Sequence, residues 1–457
     1  MSMDQLADLI SKISDIVWNS VLLYLLVGTG IIFTIRTRFV QVRKFGAGWK
    51  RLFGHFSLNG EKAGKDGMSP FQALTTAIAA QVGTGNIAGA ATALYSGGPG
   101  AIFWMWLSAF FGMSTIYGEA VLAQKYKTVD QSGHVTGGPI YYIRARFTGG
   151  FGKFLAVFFS IAIIFALGFT GNMVQANSIS EAFQNAFGVD KRIIGVICAI
   201  IAAFIFLGGV GRIAAFSEKI VPIMAGFYML GCIIILCINH AAIIPAFRSI
   251  FVAAFDPQAI LGGAVGITVR EAMRYGVARG LFSNEAGMGS TPHAHALAKV
   301  EKPQDQGEIA IVSVFIDTFI VLTLTALVIL TSGQLQAGVP GALQGTALAQ
   351  AAFNFALGSF GNAFVAICML FFAFSTIIGW YFFGEINVKA LFGQGATKIY
   401  AAIVVVCIVI GSALKVDLVW NLSDLFNGLM VFPNLIALLF LSGIVARAAH
   451  DEDIMKK

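Results

Sequence analysis

Residues 154–177, FLAVFFSIAIIFALGFTGNMVQAN, run for 24 positions without an Asp, Glu, Lys or Arg. As a helix rising 1.5 Å per residue, such a run reaches about 36 Å, enough to cross the hydrocarbon core of a bilayer. Lipid offers the backbone no hydrogen-bond partners, so each span must be helical. Similar runs recur along the chain. We read eleven, near 16–35, 70–95, 99–123, 152–177, 191–209, 218–238, 266–298, 308–332, 360–384, 398–414 and 422–446. The expected fold class is therefore an all-α polytopic membrane protein with eleven transmembrane helices. Composition agrees, with 57% of the 457 residues hydrophobic and 12% charged, about half the charge of an ordinary soluble domain.

The net charge of +7 raises the question of a nucleic-acid partner, and its distribution answers it. With residues 36–69 in the cytoplasm and the sides alternating, 22 of the 30 Lys and Arg fall on the cytoplasmic side and five outside. The remaining three, Arg270, Arg274 and Arg279, lie in the seventh span. This positive-inside pattern puts the N-terminus outside and the tail 447–457 in the cytoplasm. The charge orients the chain and gives no reason to expect nucleic acid. The opening MSMDQLADLISKISDIV is polar and amphipathic, unlike a secretory signal, and the first apolar run reads as a retained span. Five cysteines, an odd number without a CxxC, argue against a disulfide framework or a zinc site. His293 and His295 stand two apart near a helix end, do not share a face, and read as packing.

Two spans differ from the others. The second carries QVGTGN at its centre, and the seventh carries RGLFSNEAGMGSTP, residues 279–292. Glycine weakens a helix through backbone entropy and proline removes an N–H, so both spans are expected to be discontinuous. They stand five spans apart. With 16–35 set aside as an extra helix, ten spans remain, divided as 70–238 and 266–446, each half opening on its interrupted helix. Five is odd, so the second half runs through the membrane inverted. Paired broken helices at the interface of an inverted repeat mark a transporter's binding site. The halves show no convincing residue-level similarity, and the repeat rests on topology and the placement of the breaks.

The stretch AAQVGTGNIAGA, residues 79–90, also spells G-x-G-x-x-A, a dinucleotide fingerprint. That motif needs a preceding strand and an acidic residue about twenty positions on. Here a helical run, FQALTTAIAA, precedes it, and Met105 stands at the distant position. Gly85 and Gly89 also form GxxxG, which lets helices approach closely but does not account for Thr84 and Asn86. A break that frees backbone groups at membrane depth does.

The stretches AQVGTGNIAGAA, GGPGAIFWMWLSAFFGM (97–113), TGGPIYYI (136–143), GLFSNEAGMGS (280–290) and FAFSTIIGWYFFGE (372–385) resemble the alanine/glycine:cation symporter family over almost the whole chain. VGTGN is also similar to the VGxGN of neurotransmitter:sodium symporters, whose first core helix is broken there. The resemblance implies a LeuT-type five-plus-five inverted repeat preceded by one extra helix, in a prokaryotic cytoplasmic (inner) membrane. It further implies uptake of a small neutral amino acid, alanine or glycine, coupled to sodium and sometimes protons. No organic cofactor is implied, and the chain is expected to act as a monomer within the lipid bilayer.

The chemistry of the breaks suits a zwitterion. Amides of Thr84, Gly85 and Asn86, at the positive end of the outer half-helix, can hold a carboxylate. Carbonyls near Ala80 and Gln81, and from Leu281 to Ser283, can accept from an ammonium. Gly83 and Asn284 belong to the same two breaks. By the matching VGTGN frame, the carbonyls of Ala79 and Val82 with the hydroxyls of Ser375 and Thr376 are expected to hold sodium. Serine and threonine also bond their own helix backbone, and that alternative stays open. Trp380, one turn beyond Thr376, is expected either to wall the substrate pocket or to sit at the lipid interface; Met288 is a second wall or core filling.

Charges inside spans are costly and candidates for function. Asp317, Glu285 and Glu119 qualify. Glu285 is expected to pair with Arg279, although ion coupling stays open for it and for Asp317. Arg270, Glu271 and Arg274 read as an outer interfacial stretch. A membrane oxidoreductase would need a soluble nucleotide domain or paired haem-ligating histidines, and the sequence offers neither. A channel would pass ions without obligatory substrate. A fold relative carrying a nucleobase or a larger amino acid is separated only by the family motifs.

Overall fold

The computed structural model describes residues 3–53, 67–262 and 266–455. Seven of the described helices are long and apolar enough to cross a membrane: Gly100–Lys125, Gly149–Phe187, Gly209–Ile238, Pro303–Ser332, Phe360–Phe392, Ala396–Ala413 and Leu418–Ala449. Leu23–Arg36 is a shorter apolar helix, and Lys191–Phe206 starts at Asp190, whose side chain accepts from Arg192 N at 2.8 Å. Among the described residues the strands are a single antiparallel pair, Thr128–Val129 and Val135–Thr136. This is a helical bundle whose packed middle is built from apolar and small side chains.

Two stretches in the core leave the helical path. Pro70–Gln81 starts on a capping box between Ser69 and Gln72, with Pro70 in the first turn, where its missing N–H costs nothing. It ends at Val82, whose ψ of 86° takes its carbonyl out of the helical ladder. Helical backbone resumes as a π-turn over Gly85–Gly89 and continues through Ala90–Gly97. The second stretch follows Val269–Asn284. Glu285 is left-handed at φ 58°, Gly287 and Gly289 have φ of 90° and 82°, and a short helix, Pro292–Ala296, follows. Thr268 and Glu271 form a capping box, so Arg270, Glu271 and Arg274, expected as an outer interfacial stretch, belong to the opening of this helix.

The connections hold more helix than their lengths suggested. Ile243–Ala253 lies between the sixth and seventh expected spans, and Gly345–Leu357 lies within the expected outer connection 333–359. Both are too short to span, which is why a search for long runs passes over them. They cover one end of the bundle: Trp104 Nε1 donates to Ala254 O at 3.1 Å, and Gln350 Nε2 donates to Ala182 O at 2.9 Å.

The basic segments gather at the other end. Lys44 lies 2.7 Å from Asp451 and 3.6 Å from Glu308, Arg51 contacts Asp305 and Glu308 at 2.8 Å each, and Lys389 reaches Asp130 at 3.0 Å. The first pairs join the segment 36–53 to Asp305, Glu308 and Asp451, and the last ties the hairpin 128–136 to the end of the helix Phe360–Phe392. Part of the basic connection, 54–66, lies outside the described residues. Burial acts to raise the pKa of Asp130, but the amides of His134 and Ser132 and the Lys389 ammonium outweigh it and hold the carboxyl below its ordinary value.

Candidate functional site

The first break is closed by uncharged partners. Gly83 N donates to Asn86 Oδ1 at 3.1 Å, Asn86 N to Gly83 O at 3.2 Å, and Thr84 N to Gln175 Oε1 at 3.1 Å. Gln81 Nε2 crosses to the second break and donates to Asn284 O at 2.7 Å. Gly85 faces Ser283, and a Cβ built on it would stand 3.1 Å from Ser283 Cα and 3.2 Å from Phe282. One on Gly83 would collide with Thr376 Oγ1. Only glycine lets the helices meet this closely.

Three buried polar atoms around this break have no protein partner: Gln81 Oε1, Thr84 Oγ1 and Gln175 Nε2. The hydrogen bonds made by the other ends of Gln81 and Gln175 fix which way each amide points. An orphaned buried polar atom costs about 1–3 kcal/mol, and this break with its neighbour Gln175 keeps one acceptor, one hydroxyl and one donor without a protein partner, a set referred to below as the cradle.

Ser375 and Thr376 reach the same break from the helix Phe360–Phe392. Thr376 Oγ1 lies 2.9 Å from Ala79 O, and Ser375 Oγ lies 3.3 Å from it. Each hydroxyl also contacts its own helix at Phe372 O, at 3.1 and 2.8 Å. The intrahelical bond and the convergence on Ala79 therefore coexist. Val82 is fully buried beside them.

Trp380 is 1% exposed, its ring packed inside the protein. Its ring meets Phe282 edge-on at 5.4 Å, and its Nε1 donates to Glu285 Oε1. A Cβ on Gly171 would stand 2.5 Å from the ring, so this glycine makes room for it. Leu281 is buried, and its carbonyl accepts from Glu285 N at 2.8 Å as the helix ends. Met288 is buried in the core; its amide closes a turn on Glu285 O at 3.0 Å.

The intramembrane charges are sorted differently from the expectation. Arg279 does not pair with Glu285. Its guanidinium grips Asp424 through two bonds, of 2.8 and 2.6 Å, and lies 4.6 Å over the Trp420 ring. A planar fork matches a carboxylate bidentately, and Glu285 points the other way, to Ser290 and Trp380. Glu119 accepts from Gly287 N at 2.9 Å, Gly289 N at 2.8 Å and Asn434 Nδ2 at 2.7 Å, so it clamps the second break. Asp317, on the π-turn Phe315–Leu322, accepts from Asn86 Nδ2 at 2.8 Å, Ser283 Oγ at 2.9 Å and Thr318 Oγ1 at 2.8 Å. His293 and His295 are buried, with His293 stacked near Phe159 and Phe383.

Gln175, Asp424 and Asn434 were not singled out from the sequence. The signal for Gln175 was present: GNMVQANSIS places five polar side chains in an otherwise apolar span. Asp424 is likewise a charge inside an apolar run.

The described geometry meets known proteins at two levels. Among solved structures, MhsT in complex with L-phenylalanine is similar at a TM-score of 0.59 and 13% identity, over 86% of this chain and 99% of that one. A manganese transporter of Eremococcus coleocola is similar at 0.52 and 13%, over 84% and 78%. These likenesses concern the fold, which is the LeuT-type transporter fold. By sequence, the sodium/alanine symporter AgcS of Methanococcus maripaludis is 44% identical over 440 residues, 96% of this chain and 95% of its own. The probable sodium/glutamine symporter GlnT of Bacillus subtilis is 40% identical, over 97% and 90%. The amino-acid carrier protein AlsT of the same organism is 39% identical, over 97% and 91%. The profile described as the sodium:alanine symporter family matches residues 3–456. With the profile and full-length relatives in agreement, the chain belongs to the sodium:alanine symporter family.

Proposed function

We propose that this chain is a secondary active symporter that imports a small neutral amino acid, alanine or glycine, together with sodium. The observation that carries the reading is the cradle at the first break. A zwitterion supplies what Gln81 Oε1, Thr84 Oγ1 and Gln175 Nε2 lack: an ammonium for the acceptor and a carboxylate for the two donors. A carboxylate that took the Thr84 amide as well would displace Gln175 Oε1. Phe282, next to Gly85, and Trp380, edge-on to Phe282, would bound the substrate's side chain, which favours a methyl group or hydrogen over the longer side chain of glutamine.

Sodium takes oxygen ligands, and the Ala79 and Val82 carbonyls with the Ser375 and Thr376 hydroxyls supply them. The ion would tie the first half-helix to the helix Phe360–Phe392. Substrate and ion then share one break, so each stabilises the backbone shape that the other needs. Rocking of one repeat against the other around this fixed site would deliver both to the cytoplasm. The eleven-span threading, with the N-terminus outside, is part of the reading; the charge asymmetry of the sequence supports its orientation.

Equilibrium binding of labelled alanine to the purified protein at graded sodium concentrations tests the proposal. Alanine affinity should rise with sodium, glycine should compete and glutamine should not. Thr376→Ala should raise the half-saturating sodium concentration more than it weakens alanine binding at saturating sodium. Alanine affinity that ignores sodium would contradict the coupling.

A further inference from the structure

The second break holds three residues at positive φ, and one of them is not glycine. Gly287 and Gly289 stand at 90° and 82°, and Glu285 stands at 58°. Left-handed backbone sets a Cβ against the neighbouring carbonyl, a cost that glycine would avoid. A glutamate kept in that conformation directs attention to its side chain.

Glu285 is fully buried, and its two oxygens have separate partners. Oε2 accepts from Ser290 Oγ within the break, and Oε1 accepts from Trp380 Nε1 on the helix Phe360–Phe392. An indole N–H is a donor only, so the position of this acceptor decides which way the ring turns. The other neighbours confine the ring by shape: Phe282 meets it edge-on at 5.4 Å, and the missing Cβ of Gly171 leaves it room. Glu285 supplies the directional bond.

The helix that carries Trp380 is tied down without Glu285. Thr376 Oγ1 contacts Ala79 O at 2.9 Å one turn before the ring. Asn387 Nδ2, seven residues beyond it, lies 2.8 Å from His293 Nε2. Losing the carboxylate would therefore free the ring while the helix stays in place. An indole N–H left without an acceptor inside the protein is unfavourable, and the ring would turn to find one.

We propose that Glu285 is a positioning residue: it fixes the Trp380 ring and thereby sets how large a side chain the amino-acid pocket admits. This rests on the reading above, which puts Trp380 beside the substrate's side chain. The residue before it, Asn284, accepts from Gln81 Nε2 at 2.7 Å through its carbonyl. Adjacent positions of the second break thus hold the first break and the pocket wall.

The test is competition of valine against labelled alanine for the purified full chain at saturating sodium. Glu285→Asn suits the left-handed backbone but is too short to reach the indole. It should improve valine relative to alanine about tenfold, the lower end of what one methylene is worth in a fitted pocket. Glu285→Gln keeps an acceptor oxygen for the indole, while Ser290 Oγ can turn to accept from its amide, so the wild-type ratio should return. Glu285→Asn added to Trp380→Leu should change the ratio no further than Trp380→Leu alone, because the two act through one ring. A wild-type ratio in Glu285→Asn, with Trp380→Leu shifted, overturns the proposal and leaves the pocket reading standing. Additive shifts in the double variant overturn it as well, and so does a Gln variant as permissive as the Asn one. Trp380→Phe, a ring without the N–H, removes the same bond from the other side; an unchanged ratio there overturns the proposal even if Glu285→Asn does not fold. Trp380→Leu with the wild-type ratio would instead remove the underlying placement of Trp380.

Discussion

The two breaks are held by opposite kinds of partner. At the first, between Gln81 and Gly85, neutral side chains close the gap: Asn86 takes Gly83 N and Gln175 takes Thr84 N. At the second, between Asn284 and Pro292, a buried carboxylate fixes two peptide amides, and Glu285, Gly287 and Gly289 hold left-handed or related backbone. Charge-assisted bonds to a fixed anion are about twice as strong as neutral ones, and a ligand cannot readily replace them. In the proposed function the first break would trade its partners for a substrate, and the second would serve as scaffold. On the proposed reading, binding falls to the first break and shape to the second.

Breaking the scaffold should have the largest effect. Glu119→Ala orphans three buried donors, each worth about 1–3 kcal/mol, so the folded transporter should lose most of its thermal stability. A melting temperature within a degree of wild type would mean that Glu119 is no clamp. Glu119→Gln, which retains one acceptor oxygen, should fall between the two.

Gly85→Val comes next. The added side chain meets Ser283 and Phe282, and overpacking of this kind costs about 1–3 kcal/mol, enough to weaken alanine binding roughly 10- to 100-fold. Expression and melting temperature should stay near wild type. Gly287→Ala makes the opposite case, since its φ of 90° belongs to the scaffold. It should lower stability by about 1–2 kcal/mol and leave alanine affinity nearly alone. If the two variants exchange phenotypes, the roles of the breaks are reversed.

Trp380→Leu should enlarge the pocket. A methylene in an apolar pocket is worth about 1–3 kcal/mol, so selection by fit alone gives roughly 10- to 200-fold. Competition against labelled alanine should show valine and leucine gaining on it. Unchanged competition would leave Trp380 as core packing and a partner for Glu285. Gln175→Ala should weaken alanine binding about tenfold, the worth of one lost hydrogen bond to a charged group. It should leave sodium binding in the absence of alanine unchanged.

The smallest effect is expected farthest from the breaks. Asp130 pairs with Lys389 at the basic end and is held below its ordinary pKa. The contribution is therefore in place above the unfolded carboxyl's pKa and is lost as pH falls through the lower folded value. The pair is partly solvated, so Asp130→Asn should change uptake at neutral pH by less than about threefold. A larger loss would make this pair part of the transport cycle.

The sequence revealed the parts of this molecule that obey one-dimensional rules. Apolar length marked the long helices, and glycine in QVGTGN and EAGMGS marked where helical backbone stops. The convergence of Ser375 and Thr376 on Ala79 followed from the motif frame. What escaped was pairing between distant segments. Arg279 has Glu285 six residues away but binds Asp424, 145 residues on, because the helix Val269–Asn284 ends before Glu285, whose left-handed backbone leaves the helical path. Gln175 and Asn434 were illegible as site residues for the same reason: their partners in the breaks lie 91 and 147 residues away. The helices Ile243–Ala253 and Gly345–Leu357 went unseen because nothing in a short amphipathic run announces that it will lie across the end of a bundle.

Accumulation in proteoliposomes tests the central claim most directly. Labelled alanine should concentrate inside above its external level when sodium is high outside, and should fall back to equilibration when sodium is equal on both sides. Gly85→Val vesicles should not accumulate alanine under either condition. Alanine that merely equilibrates in wild type, at a rate indifferent to the sodium gradient, would contradict sodium-coupled symport through the first break.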